Sequence, residues 1–341
     1  MKKIFILRRL SNATVTKNNF DIIAAASKDT GAKVHDFSSV KESLRLGNRN
    51  DLYVATASVD VIKLYLSGRR NIAFWIQGII PEESMLRNRS YLRYYILSLL
   101  ELMSLRLSSL CLPVSNAMIE HYNNKYHYNI SHKSYVFPCF NTTLKDWAFD
   151  VPGKYERNCF IYAGGLAKWQ CFSETLDLYK KIESSGLPET KLIVMTKAKE
   201  VAIKEIKKRG IMNFEVDFTS SEELPEFLSK AKFGFVLRKE NPINFVSTPT
   251  KISSYLSCGV IPICGSAVKS FLEISKATEY AIIWDGDDNE CLSKISAFPP
   301  IDKDTIKSDY GRVFDTVYSF TFHQKNLSDL FAKVFNINNL V

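Results

Sequence analysis

The sequence predicts an α/β protein built from two doubly wound, Rossmann-like domains, and three observations support that prediction. The chain has 341 residues, of which 46% are hydrophobic, so it is long and apolar enough to bury two cores. Short apolar runs of strand length alternate with amphipathic segments of helix length, and the runs fall into two series. Alternation of this kind is typical of parallel sheets with helices on both faces.

The two series of apolar runs give the expected strands in chain order. The first series is Lys3–Leu7, Lys33–Phe37, Asp51–Ala55, Asn71–Ile76, Ser109–Val114 and Ser134–Phe137. The second series is Cys159–Ala163, Lys191–Met195, Phe214–Phe218, Phe233–Leu237, Val260–Ile263 and Tyr280–Trp284. The carboxyl ends of both sets of strands are expected to face a central cleft, where ligands of such sheets bind.

The stretch between the two series, Asn141–Asn158, contains proline, glycine and mixed charges and marks the domain boundary. We therefore expect a first domain over residues 1–150 and a second over residues 151–310. Residues 311–341 should form a helical segment that packs back on the first domain.

Cysteine usage and charge limit the class of protein. The seven cysteines occur singly and mostly in apolar runs, so we expect reduced, buried thiols of a cytoplasmic protein and no metal site. The first nine residues contain four consecutive apolar residues, which is too short for a signal-peptide core and favours a buried strand. The net charge of +9 favours an anionic partner, either a nucleotide or an acidic membrane surface. Nucleic acid is disfavoured because the basic residues are dispersed and no recognition module is evident.

One apolar segment, Ser90–Pro113, approaches the length of a membrane span, but charged residues, among them Glu101 and Arg106, fall inside it. The simpler interpretation is a long helix packed on the first sheet. The alternative is a basic and aromatic surface, including Arg87, Arg89 and Arg93, that lies on the inner face of the plasma membrane.

A glycine turn opens the second half of the chain. The buried run Cys159–Ala163 leads into Gly164 and Gly165, and a helix is expected to begin near Phe172. Glycines at such a turn let the backbone approach a ligand closely, and Lys168 adds a positive charge, which suits a diphosphate. The alternative is a plain turn between a strand and a helix.

A second loop suited to anions follows the run Phe233–Leu237, which ends in Arg238. The loop continues through Ser247, Thr248, Pro249, Thr250 and Lys251. Thr248 is expected to cap a helix whose first residue is Pro249. A helix start beside a lysine favours phosphate, although a capped structural helix remains the alternative. Two such loops on strands of one sheet favour a phosphate site.

Several short motifs surround these loops, namely the runs 162–170, 223–238 and 249–259, with the runs 75–83, 113–122 and 136–141 in the first half. Together they resemble family 4-like GT-B glycosyltransferases of bacterial capsule and O-antigen assembly. The resemblance implies that the first domain binds a glycan acceptor, lipid-linked or free, and that the second binds a nucleotide-diphosphate sugar. It also implies hexosyl transfer at the cytoplasmic face of the membrane, without a metal or other cofactor.

The resemblance assigns roles to the residues of the two loops. Lys168, Arg238 and Lys251 are implied to stabilise the leaving diphosphate, where negative charge develops during transfer. Glu240 is a further catalytic candidate. The residues implied to bind the donor phosphates are Gly164, Gly165, Ser247, Thr248, Pro249 and Thr250.

Other strand ends supply candidates for the remaining parts of the two substrates. Met195, Thr196, Asp217 and Phe218 are expected to contact the nucleoside. In the first domain Gln77, Gly78 and Glu82 are candidates for binding acceptor hydroxyls, with Glu82 or Glu83 as a possible base. The alternative for these glutamates is that they favour the first turn of a helix that starts near Pro81.

The sequence departs from the family pattern at two positions. Many family 4 enzymes carry two glutamates eight residues apart, and the matching positions here are Val246 and Ser254. The family favours retention of configuration, but the absent glutamates leave the stereochemical outcome open. Glu240 or Asn244 could take over the contact with the donor sugar.

Three alternatives stay open at the level of sequence. A nucleotide-sugar epimerase has a similar two-domain shell, and a non-catalytic glycan-binding scaffold would explain the missing glutamates. Asp285 and Asp287 form an Asp-x-Asp motif of the kind that holds a metal ion in GT-A transferases. The simpler interpretation of that motif is that Asp287 or Asp288 caps the following helix.

Overall fold

The computed structural model describes residues 2–8 and 16–337 and divides into two compact units. The first unit consists of Met1–Asn141, Phe245–Thr248 and Ser319–Val341, and the second of Thr142–Asn244 and Pro249–Tyr318. The first division thus falls before residue 150, and the chain returns to the first unit at Ser319. Residues 338–341 of the predicted C-terminal helical segment lie outside the described residues.

The first unit contains a parallel sheet of five strands in the order β2-β1-β3-β4-β5. The strands are β1 Lys3–Leu7, β2 Lys33–Phe37, β3 Leu52–Ala55, β4 Ile72–Ile76 and β5 Leu110–Pro113. Strands β3, β4 and β5 are buried along their whole length, as expected for a parallel sheet covered on both faces.

The sixth strand predicted for this sheet, Ser134–Phe137, is wrong. Its backbone does run beside β5, where the N–H groups of Tyr135 and Phe137 donate to the carbonyls of Cys111 and Pro113. Only one bridge forms, between Cys111 and Ser134. The next residue is Pro138, which has no N–H group and cannot continue the ladder.

Helices cover the first sheet. They are α1 Lys17–Asp29, α2 Val40–Leu46, α3 Ser58–Leu66, α4 Ile80–Asn88, α5 Tyr91–Leu107, α6 Asn116–Tyr126 and α15 Phe320–Ile337, numbered in chain order. The last of these, α15, packs lengthwise against α1. Helix α5 packs against α3, α4 and β4. Across residues 2–8 and 16–337, no helix has both the length and the apolar character required to cross a bilayer.

The second unit contains a parallel sheet of six strands in the order β11-β10-β9-β6-β7-β8. The strands are β6 Cys159–Ala163, β7 Lys191–Met195, β8 Phe214–Asp217, β9 Phe233–Val236, β10 Ile261–Gly265 and β11 Ile282–Trp284. The helices are α7 Phe172–Glu183, α8 Lys199–Lys208, α9 Leu224–Leu228, α10 Pro242–Val246, α11 Thr250–Ser257, α12 Lys269–Ser275, α13 Asp288–Ser296 and α14 Lys303–Thr316. Helix α7 begins at Phe172, as the glycine turn predicted.

A buried tyrosine holds α11 against the second sheet. The hydroxyl of Tyr255 accepts a hydrogen bond from the backbone N–H of Ala163 at 3.0 Å and donates to the carbonyl of Phe235 at 3.3 Å. These partners belong to β6 and β9, which are neighbours in the sheet. Residues four apart share one face of a helix, so Lys251 lies on the same face of α11 as Tyr255. The tyrosine thereby fixes the start of α11 beside the carboxyl end of β6.

Candidate functional site

The central feature of the second unit is a lysine whose ammonium group is buried without a partner. The Nζ atom of Lys251 is shielded from solvent and donates to no hydrogen-bond partner among the described residues. It lies 4.0 Å from the ring centroid of Tyr162, a distance at which a cation is attracted to the ring face. A buried amine that meets only an aromatic ring retains its capacity to donate to a ligand.

The glycine turn and the lysine, which the sequence predicted as two separate anion-suited features, are in contact. Gly164 has φ +143°, which side chains rarely adopt, and a Cβ atom at this position would lie 2.5 Å from Cε and 2.9 Å from Nζ of Lys251. Gly164 is therefore required both by its backbone conformation and by the close approach of the lysine. A Cβ atom at Gly165 would meet nothing within 4 Å.

Arg238 is a second buried cation at the same sheet edge. It follows β9 and is only 6% exposed. Its Nη1 donates to the carbonyl of Leu237 at 3.0 Å, and its Nη2 donates to Oε1 of Gln170 at 2.9 Å. Neither acceptor is charged, so these two hydrogen bonds leave the guanidinium charge uncompensated. Gln170 was missed in the sequence, where nothing signals a pairing across 68 positions.

The electrostatics of the pair favour an anion. Burial, and secondly the positive charge of Arg238, lower the pKa of Lys251 well below its ordinary value of 10.5. Burial also lowers the pKa of Arg238. Both shifts express the cost of holding positive charge away from water, and a bound anion would remove that cost. The geometry therefore suits a phosphate or diphosphate group.

The other catalytic candidates of the second unit are exposed. Lys168 begins a short 3₁₀ turn, Lys168–Gln170, and its side chain is in solvent. Glu240 is also exposed and lines a cavity of about 480 Å³ together with Arg238 and the aspartate and tryptophan at the end of β11. Lys239 is exposed too, and its Nζ pairs with Glu174 at 2.6 Å.

Helix α11 begins one residue later than predicted. The helix runs from Thr250, and Pro249 is its N-cap without a side-chain hydrogen bond. The hydroxyl of Thr248 does not cap the helix because it accepts a hydrogen bond from the backbone N–H of Cys139 at 3.2 Å. Ser247 and Thr248 belong to the first unit, whereas Pro249 and Thr250 belong to the second.

The four residues predicted to contact a nucleoside lie at adjacent strand ends, β7 and β8. Met195 and Thr196 are buried, at 4% and 2% exposed, and the N–H of Thr196 donates to the carbonyl of Asp217. The carboxylate of Asp217 pairs with Nζ of Lys199 at 2.5 Å. Phe218 is 45% exposed, so it is the member of this set that presents a large apolar surface to solvent.

In the first unit, the two neighbouring glutamates that follow β4 lie in different surroundings. Oε1 of Glu82 lies 2.7 Å from Nζ of Lys125 and 3.4 Å from Nε2 of His121. Burial by itself raises the pKa of Glu82, but its contacts with His121 and Lys125 outweigh that effect and hold the pKa below its usual value. Glu82 is thus engaged in an ion-pair cluster.

Glu83, by contrast, lines a cavity of about 500 Å³ with Gln77 and Gly78. A Cβ atom at Gly78 would collide with Oε1 of Glu83, so the glycine makes room for the carboxyl group. The Nε2 atom of Gln77 is buried and has no hydrogen-bond partner among the described residues. Burial raises the pKa of Glu83, and the neighbouring charge of Glu82 adds to the rise, while Arg87 opposes it.

The positions that carry glutamates in the resembled family hold small or apolar residues here. Val246 is 2% exposed, and its carbonyl accepts a hydrogen bond from Oγ of Ser115 at 2.7 Å. Ser254 lies one turn after Thr250 and donates to its carbonyl at 3.1 Å. Asn244 is buried and donates to the carbonyl of Lys239, which holds the loop after β9.

The Asp-x-Asp motif serves as a helix cap. The carboxylate of Asp287 accepts hydrogen bonds from the N–H groups of Asn289 and Glu290 at the start of α13, as the capping interpretation predicted. In the part of the chain that the structure describes, no group of three or more His, Cys, Asp or Glu side chains is arranged to hold a metal ion.

Comparison with protein-family models finds no match, and comparison with curated proteins finds none either. Solved structures do match. The chain is similar to the lipopolysaccharide outer core galactosyltransferase WaaB in its apo form, with a TM-score of 0.68, 11% identity, and coverage of 96% of this chain and 99% of WaaB. It is similar to Alr3699/HepE of Anabaena in complex with UDP and glucose, with a TM-score of 0.68, 12% identity, and coverage of 98% and 100%.

A third similar structure is a mutant of TarM from S. aureus in complex with fondaparinux, alpha-GlcNAc-glycerol and UDP. Its TM-score is 0.63 at 9% identity over 87% of this chain, and the chain spans 58% of TarM. Likeness at these identities establishes the fold, an α/β protein with two parallel sheets of the kind found in GT-B glycosyltransferases.

Proposed function

We propose that this chain is a glycosyltransferase that takes a sugar from a nucleotide-diphosphate donor, with UDP as the leading nucleotide. The observation that supports the proposal is the pair of buried cations, Lys251 and Arg238, at the carboxyl ends of β6 and β9. TarM and HepE, which share the fold, are in complex with UDP in their solved structures.

The chemistry of transfer fits these two side chains. When the bond between the sugar and the diphosphate breaks, negative charge grows on the departing phosphate oxygen. Fixed positive groups in a site shielded from water stabilise that charge more than they stabilise the bound donor, and so they accelerate the reaction. Lys251 and Arg238 would supply those groups, with Lys168 at the solvent side and the Gly164 backbone close to the phosphates.

The test is binding and turnover with a panel of UDP-sugars. We expect one of them to raise the melting temperature and to be converted to UDP, because a ligand of the folded state stabilises it by mass action. Lys251→Met and Arg238→Ala should each abolish turnover without unfolding the protein. Lys239→Ala is the matched control, since it removes the exposed cation next to Arg238 and should leave turnover unchanged.

Near wild-type turnover in both variants would contradict the proposal. Conversion of a nucleotide sugar into an isomer without release of UDP would instead identify an epimerase. Binding of a glycan without consumption of any donor would identify a scaffold.

We further propose that the acceptor is a glycan, lipid-linked in cell-surface polysaccharide assembly, and that the chain contacts an anionic membrane. Support comes from a surface that we call the α5 apolar surface. It consists of exposed side chains of α5, namely Tyr91, Leu92, Tyr95, Ile96, Leu99 and Met103. Large exposed apolar patches on folded proteins mark interaction sites.

The charges around the α5 apolar surface favour an anionic lipid partner. Four arginines of α4, α5 and their connection are exposed, namely Arg87, Arg89, Arg93 and Arg106. The three glutamates of the same helices are half-buried or buried. A basic rim around aromatic and aliphatic side chains is typical of helices that lie in the membrane interface.

Vesicle sedimentation tests the membrane contact. Vesicles that contain phosphatidylglycerol should retain the protein, and vesicles of phosphatidylcholine alone should retain much less. Arg89→Ala combined with Arg93→Ala should weaken the partition by roughly thirtyfold, at about 1 kcal/mol for each cation near the surface. Lys207→Ala combined with Lys208→Ala on α8 is the control and removes the same charge elsewhere. Equal losses in the two double variants would count against a specific membrane face.

A further inference from the structure

The cavity beside β4 has a composition that defines a class of ligand. It lies in the first unit at the carboxyl ends of β3 and β4, with α5 along one side. Its volume of about 500 Å³ is within the range of small-molecule sites. Its polar wall is formed by Thr56, Ser58, Gln77, Gly78, Glu83 and Glu101.

Two of these polar groups are poised to bind hydroxyls. The amide nitrogen of Gln77 is buried without a partner among the described residues, and an unsatisfied buried donor costs free energy until a ligand accepts from it. The carboxyl group of Glu83 lies over Gly78 and lines the cavity, where its oxygens can accept hydrogen bonds from ligand hydroxyls. Glu101 is already engaged, because it accepts from Tyr126 at 2.7 Å and Lys125 at 3.2 Å.

The charged groups that line the cavity favour an uncharged ligand over an anionic one. The lining contains two carboxyl groups and no lysine, arginine or histidine. Arg87 approaches Glu83 at 3.6 Å, but it does so from solvent, where its side chain is 60% exposed. A phosphate or carboxylate would meet like charge here, whereas a neutral polyol would satisfy both Gln77 and Glu83.

The rest of the cavity lining is apolar and includes residues of α5. It is formed by Val59, Phe74, Ile76, Ile80, Leu97 and Leu100. Ile80 is itself 52% exposed, and Leu97 and Leu100 are on the same helix as the α5 apolar surface. Helix α5 therefore contributes both to the apolar lining of the cavity and to the α5 apolar surface.

We infer that this cavity binds the acceptor as an uncharged sugar carried on a hydrocarbon chain, with the sugar hydroxyls on Gln77 and Glu83 and the chain along Ile80 and Leu100. The inference rests on the proposed function and names the substrate class of its acceptor side. Glu83, rather than Glu82, is the carboxyl group that meets the sugar.

The test uses octyl glycosides of several hexoses below their micelle concentrations, with octyl phosphate and methyl glycosides as comparison ligands. Calorimetric titration should show one octyl hexoside that binds at least about tenfold more tightly than octyl phosphate and than its own methyl glycoside. Gln77→Leu and Glu83→Ala should each weaken that binding by about tenfold or more, since each removes a hydrogen bond to the sugar. Glu120→Ala removes an exposed carboxyl group of the same unit and should have no effect.

Thermal unfolding of each variant distinguishes loss of the site from loss of the fold. Glu83→Gln, which keeps the shape of the side chain, is a second variant for the same purpose. Octyl phosphate binding as tightly as every hexoside, or hexoside binding unchanged in both Gln77→Leu and Glu83→Ala, would overturn the inference. UDP-sugar binding measured on the same samples distinguishes the two proposals. Intact UDP-sugar binding with no hexoside binding removes only the cavity assignment, whereas absence of UDP-sugar binding in the unmodified protein removes the transferase.

Discussion

Exchanging the two adjacent glycines for alanine, one at a time, tests whether Lys251 is a ligand of the donor. In Gly164→Ala, the new methyl group would stand 2.5 Å from Cε and 2.9 Å from Nζ of Lys251, so the lysine must move. In Gly165→Ala, the methyl group enters open space. The two variants therefore differ in a contact with one side chain and in the backbone conformation at the exchanged position.

The expected loss of UDP affinity follows from the hydrogen bond that the displaced lysine would no longer make. A hydrogen bond to a charged group contributes about 1.5–3 kcal/mol, which corresponds to a roughly 10- to 150-fold weaker Kd for UDP in Gly164→Ala. The positive φ of Gly164 adds about 1–2 kcal/mol of backbone strain, which should appear as a lower melting temperature. Gly165→Ala should bind UDP within about threefold of the unmodified protein.

Calorimetric titration of UDP at fixed salt, with circular dichroism melting of both variants, supplies the measurement. Equal UDP affinity in the two variants would refute the reasoning, whether both are tight or both are weak. Loss confined to Gly164→Ala, in a protein that still melts cooperatively at the temperature of the titration, would place Lys251 against the diphosphate.

Three further predictions concern ionisation and capping. UDP-sugar affinity should fall with rising pH at values well below 10.5, the ordinary pKa of lysine, because Lys251 must be protonated to bind the diphosphate and burial with Arg238 lowers its pKa. Lys251→Met should flatten this profile in calorimetric titrations. Burial lowers the pKa of Lys154 to about 7, so above that pH the unfolded chain binds more protons than the folded chain. The free energy of unfolding, measured by urea titration and compared with that of Lys154→Met, should therefore rise by about 2 kcal/mol between pH 7 and pH 9. Asp287→Ala should lower the melting temperature through loss of the α13 cap, and EDTA should leave turnover of the unmodified protein unchanged. Loss of turnover both in Asp287→Ala and after EDTA treatment would instead favour a metal at Asp285 and Asp287.

The strands could be predicted where burial alone decides them. Lys3–Leu7, Cys159–Ala163 and Lys191–Met195 have the predicted bounds, because each apolar run ends at polar or glycine residues. Lys33–Phe37 also has the predicted bounds, although its side chains are half-buried or exposed. The predicted strand Ser134–Phe137 is wrong because a segment beside a sheet forms a full ladder only if its backbone N–H donors continue. Pro138 has no N–H group and ends the ladder.

The candidate site could be predicted only in part, because its groups come together through long-range contacts. The sequence singled out Gly164 and Lys251 as separate loops, but their contact depends on α11 being held by Tyr255. The hydroxyl of Thr248 was assigned to a helix on local preference, and a backbone donor 109 positions away takes it instead. Gln170 gave no signal at all, because a glutamine in a loop is unremarkable until an arginine is seen beside it.

The C-terminal helix has a consequence for the order in which this polypeptide matures. Helix α15 packs against α1, and several of its side chains are almost fully buried, among them Leu327 and Phe331. During synthesis the ribosome delivers α1 well before α15, so the side of α1 that α15 covers stays exposed to water while about three hundred residues are added. The amino-terminal half is thus the later one to finish folding, and a nascent chain stalled before α15 emerges should be a preferred client of chaperones.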